Sequence, residues 1–211
     1  MNLEIKNRTH ESREQLILPY GTLRNLIFKI DGDAVDLSAV LTQALPEVRD
    51  IVKMNFPTIT DRDIRRMTLS SYAQAVLDFL TECMGIFTEE LTGMKKGRQL
   101  ELPQYTDDFT TVSVTHTAKM CEMTEGLLED VTSIADLYQD YEKTKKANIK
   151  LDDIKRVFED IEDMLTDAFP TLDIYGLDNT NIIDILKVCI SAFAYGSGLM
   201  ARVPDTTPKN A

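Results

Sequence analysis

A mainly α fold is predicted: helical hairpins in a weak internal repeat, with a small N-terminal β-hairpin and a second β-hairpin near 99–117. Three observations predict it. Apolar residues recur at helical spacing through most of 37–87 and 118–195. Period-two alternation is confined to the first residues and to 99–117. A Phe-Pro-Thr tripeptide followed by helix-capping residues occurs twice, at Phe56 and at Phe169.

The elements follow in order. Leu3 and Ile5 alternate with Asn2, Glu4 and Lys6, the pattern of a half-buried strand. Polar 7–14 predicts the turn, and 15–18 (QLIL) a second strand stopped by Pro19. Leu23, Leu26, Ile27 and Ile30 then lie on one face of a helix starting near Tyr20 and ending at Asp31, Gly32 and Asp33. The stripe Leu37, Val40, Leu41, Ala44, Leu45, Val48, Ile51, Val52 predicts helix with a kink or break at Pro46. Pro57 ends it by pushing Phe56 out of helical backbone. A further helix is expected over 69–87, then extended chain or a hairpin over 99–117 with Pro103 on an edge. Helices resume at 118–146, 151–168 and 182–195. The predicted organisation is an N-terminal β-hairpin plus helical unit (1–92), an extended or β-prone connector (93–117), a C-terminal helical unit (118–201) and a flexible tail (202–211).

The two FPT segments are 113 positions apart (56 to 169). At that offset apolar falls on apolar: Leu41 on Ile154, Ala44 on Val157, Leu45 on Phe158, Val48 on Ile161, Ile51 on Met164, Val52 on Leu165. Beyond the prolines, Ile64 falls on Leu177, Leu69 on Ile182, Tyr72 on Ile185, Val76 on Cys189 and Leu80 on Phe193. Thr60 pairs with Asp173 and Thr68 with Asn181, all N-cap types, and Thr60 has Asp63 three residues on. Two unrelated amphipathic hairpins also share periodicity; the common FPT with caps in register is what favours a repeat. Such a unit has two apolar faces, one closed on itself and one for the second copy or a partner.

The chain has 211 residues, 23 basic and 35 acidic, for a net charge of −12. That acid excess argues against nucleic acid or an anionic membrane as partner, since both repel a polyanion. Cys83, Cys121 and Cys189 form no CxxC pair, which fits a reducing setting. No apolar run reaches the roughly 18–20 residues of a membrane span.

Candidate chemistry is thin. Asp31-Gly32-Asp33 with Asp36 looks like a calcium loop, but the glycine is misplaced and Thr42 stands where a bidentate Glu belongs. Glu159, Asp160, Glu162 and Asp163 lack the Glu-x-x-His partners of a dinuclear site and read as a solvated helix face. His116 and Cys121 have no orienting third group for nucleophilic catalysis, and two histidines with dispersed cysteines lack zinc-ligand spacing. The basic loop 93–98 (GMKKGR) has no Walker spacing and reads as a solvated connector. Segment 182–195 is apolar nearly all round, a central core helix or one completed by another chain. Nine methionines fit adaptable binding surfaces or plain core filling. No cofactor, metal site or enzymatic activity is expected.

At 56–82 (FPTITDRDIRRMTLSSYAQAVLDFLTE) the chain resembles the recurring segment of tail assembly chaperones and small tail-morphogenesis proteins of long-tailed bacteriophages. Its opening, with LPYGTLR at 18–24, is similar to the strand-then-helix start of those proteins. The resemblance implies a helical, non-enzymatic protein of the host-cell cytoplasm that coats the tape-measure protein and helps tail-tube polymerisation start. The expected partner is therefore a phage tail or tape-measure protein, with no nucleic acid or membrane, and homo-oligomers are compatible. Phe56, Tyr72, Met84, Phe169, Ile183 and Phe193 are the apolar side chains assigned to that partner. The family is usually shorter, and 99–117 has no counterpart in it. Two other readings stay open: a structural virion component such as a connector or baseplate protein, and an acidic inhibitor mimicking DNA charge.

Overall fold

The computed structural model describes residues 1–6, 8–30, 42–76, 78–79, 99–118, 125–126, 129 and 150–196, without the side chains of 193, 195 and 196. Over these the protein is mainly helical, with two separate two-stranded antiparallel sheets. Outside the described residues lie the calcium-like stretch 31–36, the basic loop 93–98, Cys83, Cys121, Met84, most of 118–146 and the tail.

β1 (Asn2–Ile5) pairs with β2 (Arg8–Glu11), Leu3 opposite His10 and Ile5 opposite Arg8. The expected pairing with 15–18 is incorrect. A tight turn with Lys6 at φ 46 brings the polar run 8–11 back as the second strand, and only His10 of β2 is buried. Residues 15–18 instead form a non-strand strap that runs on to Pro19 and α1 (Tyr20–Lys29).

α2 (Leu45–Asn55) has Pro46 in its first turn, where a missing N–H costs no helical bond. The chain breaks before it at Ala44, so Pro46 starts a helix and does not kink one. Phe56 caps its end at φ −120, ψ 82, its N–H bonded to Val52 O at 3.0 Å. Thr60 then opens α3 (Asp61–Ile64) with a capping box: Asp63 N–H donates to Thr60 Oγ1, and Thr60 N–H to Asp63 Oδ2. Thr68 accepts from Ser71 N–H at the start of the helical run 69–76.

β3 (Leu100–Tyr105) and β4 (Val112–Ala118) form the second hairpin, Leu102 opposite His116, with an irregularity at Gln104/Tyr105. It is no loose connector. Leu100, Leu102 and Ala118 are buried in one core with α4 (Leu151–Ala168), α5 (Ile174–Asp178) and α6 (Ile182–Gly196). Phe169 caps α4 at φ −119, ψ 82, its N–H on Leu165 O at 2.9 Å. Asp173 caps α5 by accepting from Gly176 N–H.

Each half has its own apolar core. In the first, Val48, Ile51, Val52, Phe56, Ile64, Tyr72 and Ala75 are buried with Leu3 and Ile5. In the second, Ile161, Met164, Leu165, Phe169, Leu177, Ile185 and Val188 are buried with Leu100 and Leu102. A fully buried side chain of this size contributes about 1.5–3 kcal/mol, so the two Phe corners anchor their halves.

The strap ties the halves together. Asn55 accepts from Ile17 N–H and donates to Ile17 C=O, both at 2.7 Å. Asn181 accepts from Leu18 N–H and donates to Leu16 C=O. Backbone bonds Tyr20 N–H to Thr180 O and Ile182 N–H to Leu18 O complete the seam. Tyr20 is wholly buried in the second core.

Candidate functional site

The outer end of the C-terminal half gathers the most exposed large apolar side chains. The loop of the second hairpin, Thr106 to Thr111, is closed by Thr106 N–H bonding to Thr111 O. Asp108 accepts from the hydroxyls of Thr106 and Thr110 and from Thr110 N–H, which together hold its carboxyl below the usual range. Phe109 sits at φ 54, strained for a side chain of its bulk, and is buried on Tyr105 with ring centroids 5.4 Å apart.

The hairpin is stitched to the helices beside it. Tyr105 N–H donates to Asn179 O, Asn179 Nδ2 to Asp107 Oδ1, and Gln104 bridges Thr180. Tyr105 Oη donates to Asp184 Oδ2, and Lys187 reaches Asp184 Oδ1. Burial, with Asp184 adding to it, pushes the Tyr105 phenol up to about 12. Gly176 packs against Gln104, where a Cβ would come within 2.9 Å of Oε1. That oxygen also takes His116 Nε2 at 3.1 Å, and His116 Nδ1 pairs with Thr171 Oγ1 at 2.8 Å.

On this fixed platform Val112 and Val114 of β4 are about half exposed, as is Ile174 of α5, and Tyr175 is 83% exposed. The two elements meet at Gln104, whose backbone pairs with Val114 and whose side chain lies on Gly176. The titratable groups nearby are committed to one another: both His116 nitrogens and the Asp184 carboxylate have internal partners. The arrangement suits apolar and aromatic contact with another molecule.

The predicted partner-binding residues are elsewhere. Phe56, Tyr72, Phe169 and Ile183 are at most 3% exposed, closed inside the protein's own cores. They are packing residues, and the reading of them as a binding face is corrected. Met84 and the Phe193 side chain lie outside the described residues. Of the acidic helix face, Glu159 and Asp163 are exposed, but Glu162 is not solvated: it accepts from Tyr20 Oη and lies 2.5 Å from Arg24 Nε, an ion pair without good hydrogen-bond direction. His116 turns to Thr171 and Gln104, with Cys121 outside the described residues.

Val112, Val114, Ile174 and Tyr175 escaped the sequence reading. The available signal was difference and not likeness: at the 113 offset Ile174 and Tyr175 face Asp61 and Arg62, apolar where the first half is charged. Among the described residues no helix is long and apolar enough to cross a membrane, and no three His, Cys, Asp or Glu side chains group to hold a metal ion. Comparison with protein-family models, curated proteins and solved structures finds no match to this chain.

Proposed function

We propose that the chain is a polypeptide-binding scaffold of the tail-assembly-chaperone type, made of two copies of one module, whose C-terminal copy grips a segment of a phage tail or tape-measure protein. The module is a β-hairpin, a helix ended by Phe-Pro-Thr, a short capped helix and a longer helix. The duplication is supported by the matching Phe56 and Phe169 corners, the Thr60 and Asp173 caps, and buried sets in register at offset 113. It also takes in the hairpins: Leu3 opposite His10 with His10 Nδ1 on Thr58, Leu102 opposite His116 with His116 Nδ1 on Thr171.

One observation carries the binding role. Where the copies differ at the surface, the second is apolar and the first charged: Ile174 and Tyr175 against Asp61 and Arg62, Val114 against Arg8. Exposed aromatic and β-branched side chains on a rigid platform make low-entropy contacts with a polypeptide. Asp63, Glu162 and Asp184 are tied into internal contacts, which subtracts them from the surface array a DNA mimic needs.

The test is coexpression with tape-measure fragments, measuring recovery of the fragment in the soluble fraction and its co-purification. Val114→Lys combined with Tyr175→Glu should abolish co-purification while leaving the circular dichroism spectrum unchanged. A fragment whose solubility ignores the chain, or one still held by the double variant, would sink the reading.

A further inference from the structure

The C-terminal module carries a docking face that is already filled. α1 lies across it: Tyr20 packs on Phe158 at 5.4 Å and donates to Phe158 O and Glu162 Oε1. Arg24 pairs with Glu162, and Gly21 is so close to Asp178 that a Cβ would come within 2.8 Å. The strap before α1 bonds along Thr180, Asn181 and Ile182. Thr180 and Asn181 are buried, and Phe158, Glu162, Asp178 and Ile182 are half-buried. It is an acidic face covered by a helix carrying Arg24.

At the same places the N-terminal module has Arg49 for Glu162, Arg65 for Asp178, Thr68 for Asn181 and Leu69 for Ile182. Arg49, Arg65 and Thr68 are exposed, and Leu69 is 58% exposed. This copy of the face is open, and its charge is inverted. Arg62 and Arg66, both exposed, add to it in a chain of net charge −12.

The complementary inversion lies after the second hairpin. Leu23 is thirteen residues past His10, next to Arg24; Glu129 is thirteen past His116, and Glu125 four before it. Glu125 and Glu129 are helical and exposed. The basic face and the acidic helix are thus both uncovered in one chain, so they are not seated on each other within it.

We propose that the open face of the N-terminal module, centred on Arg49, Arg65 and Leu69, docks the Glu125–Glu129 helix of a second copy of this chain, giving head-to-tail association. The contact repeats between chains the seating that α1 makes within one. Because the two surfaces differ, the contact is heterologous, and it closes into a ring or continues as a filament. The inference rests on the two-module reading and uses different residues from the polypeptide grip.

Sedimentation velocity on the full chain tests it. The wild type should associate with rising concentration at low salt and dissociate at about 0.5 M salt, where charge pairs beyond a few ångströms are screened. Arg49→Glu with Arg65→Glu makes both surfaces acidic, and Glu125→Lys with Glu129→Lys makes both basic. Each double variant alone should associate at least about tenfold more weakly, as like charges now oppose. Mixing the two should restore association, since each then offers the other an opposite charge at both contacts. The altered side chains are exposed, and circular dichroism checks the fold. A wild type monomeric at every concentration, association indifferent to the reversals, or a mixture that stays apart each overturns the proposal. Co-purification of a tape-measure fragment, which runs through Val114 and Tyr175, reports separately on the function proposed above.

Discussion

His116 Nε2 lies 3.1 Å from Gln104 Oε1, while the corresponding nitrogen of His10 is buried without a partner. The acceptor oxygen places a proton on His116 Nε2, so Nδ1 accepts from the Thr171 hydroxyl. In the first hairpin the residue two beyond the leucine is Ile5, buried in the core, and not a glutamine. Gln104→Ala should cost about 1–3 kcal/mol, the penalty of an orphaned buried polar group. The converse change, Ile5→Gln, completes a bond worth about 1 kcal/mol but gives up apolar burial worth about 1.5–3 kcal/mol. It should destabilise by about 1 kcal/mol net. Urea unfolding at unchanged m-value reads both, and a more stable Ile5→Gln protein would refute this ordering.

Tyr20 makes stability fall in alkali. Burial first, then the neighbouring Glu162, pushes its phenol well above the ordinary range, with Arg24 opposing. The folded pKa exceeds the unfolded value of about 10, so the stabilising effect is complete below pH 10 and is lost as pH rises above it. Tyr20→Phe should cost about 1–2 kcal/mol at pH 7 through its bonds to Phe158 O and Glu162. It should also flatten the fall in stability between pH 9 and 11. Tyr105, pushed up to about 12, supplies the remaining slope, which Tyr105→Phe removes. Urea midpoints across that range check the slopes; an unchanged slope in Tyr20→Phe counts against the assignment.

The strap depends on two asparagines acting on neighbouring residues. Asn181→Ala leaves Leu18 N–H and Leu16 C=O unpaired, and Asn55→Ala does the same to Ile17. Each should cost about 2–4 kcal/mol, since two backbone groups are stranded at once. Amide hydrogen exchange separates them: Leu18 should lose protection in the first variant and Ile17 in the second. Equal protection at both amides in the two variants would mean the strap is held by packing alone.

The helices were legible because their signals are local. The stripe from Leu151 to Ala168 and the Pro57 and Pro170 stops each need only a few neighbours to read. β2 was not legible: Arg8, Thr9, His10 and Glu11 bury one side chain in four, and the turn before it has Lys6 at positive φ where a glycine would have signalled it. The place of the hairpins in the proposed duplication was hidden by spacing. His10 and His116 are 106 positions apart, whereas the FPT corners are 113 apart, so an ungapped comparison misses the histidines. The exposed Ile174 and Tyr175 were invisible because periodicity ranks apolar residues as interior, and nothing local says which are left outside.

The strap joins residues 16–20 to residues 180–182, a separation of more than 160 positions. During synthesis the amino terminus therefore emerges long before its seat exists. Leu16, Leu18 and Tyr20 must stay uncovered until Asn181 and the helix after it leave the ribosome, when closing so long a loop completes the fold. The beginning of this protein is finished last, and a chain cut short before Asn181 would leave those side chains open to aggregation or to whatever polypeptide is near.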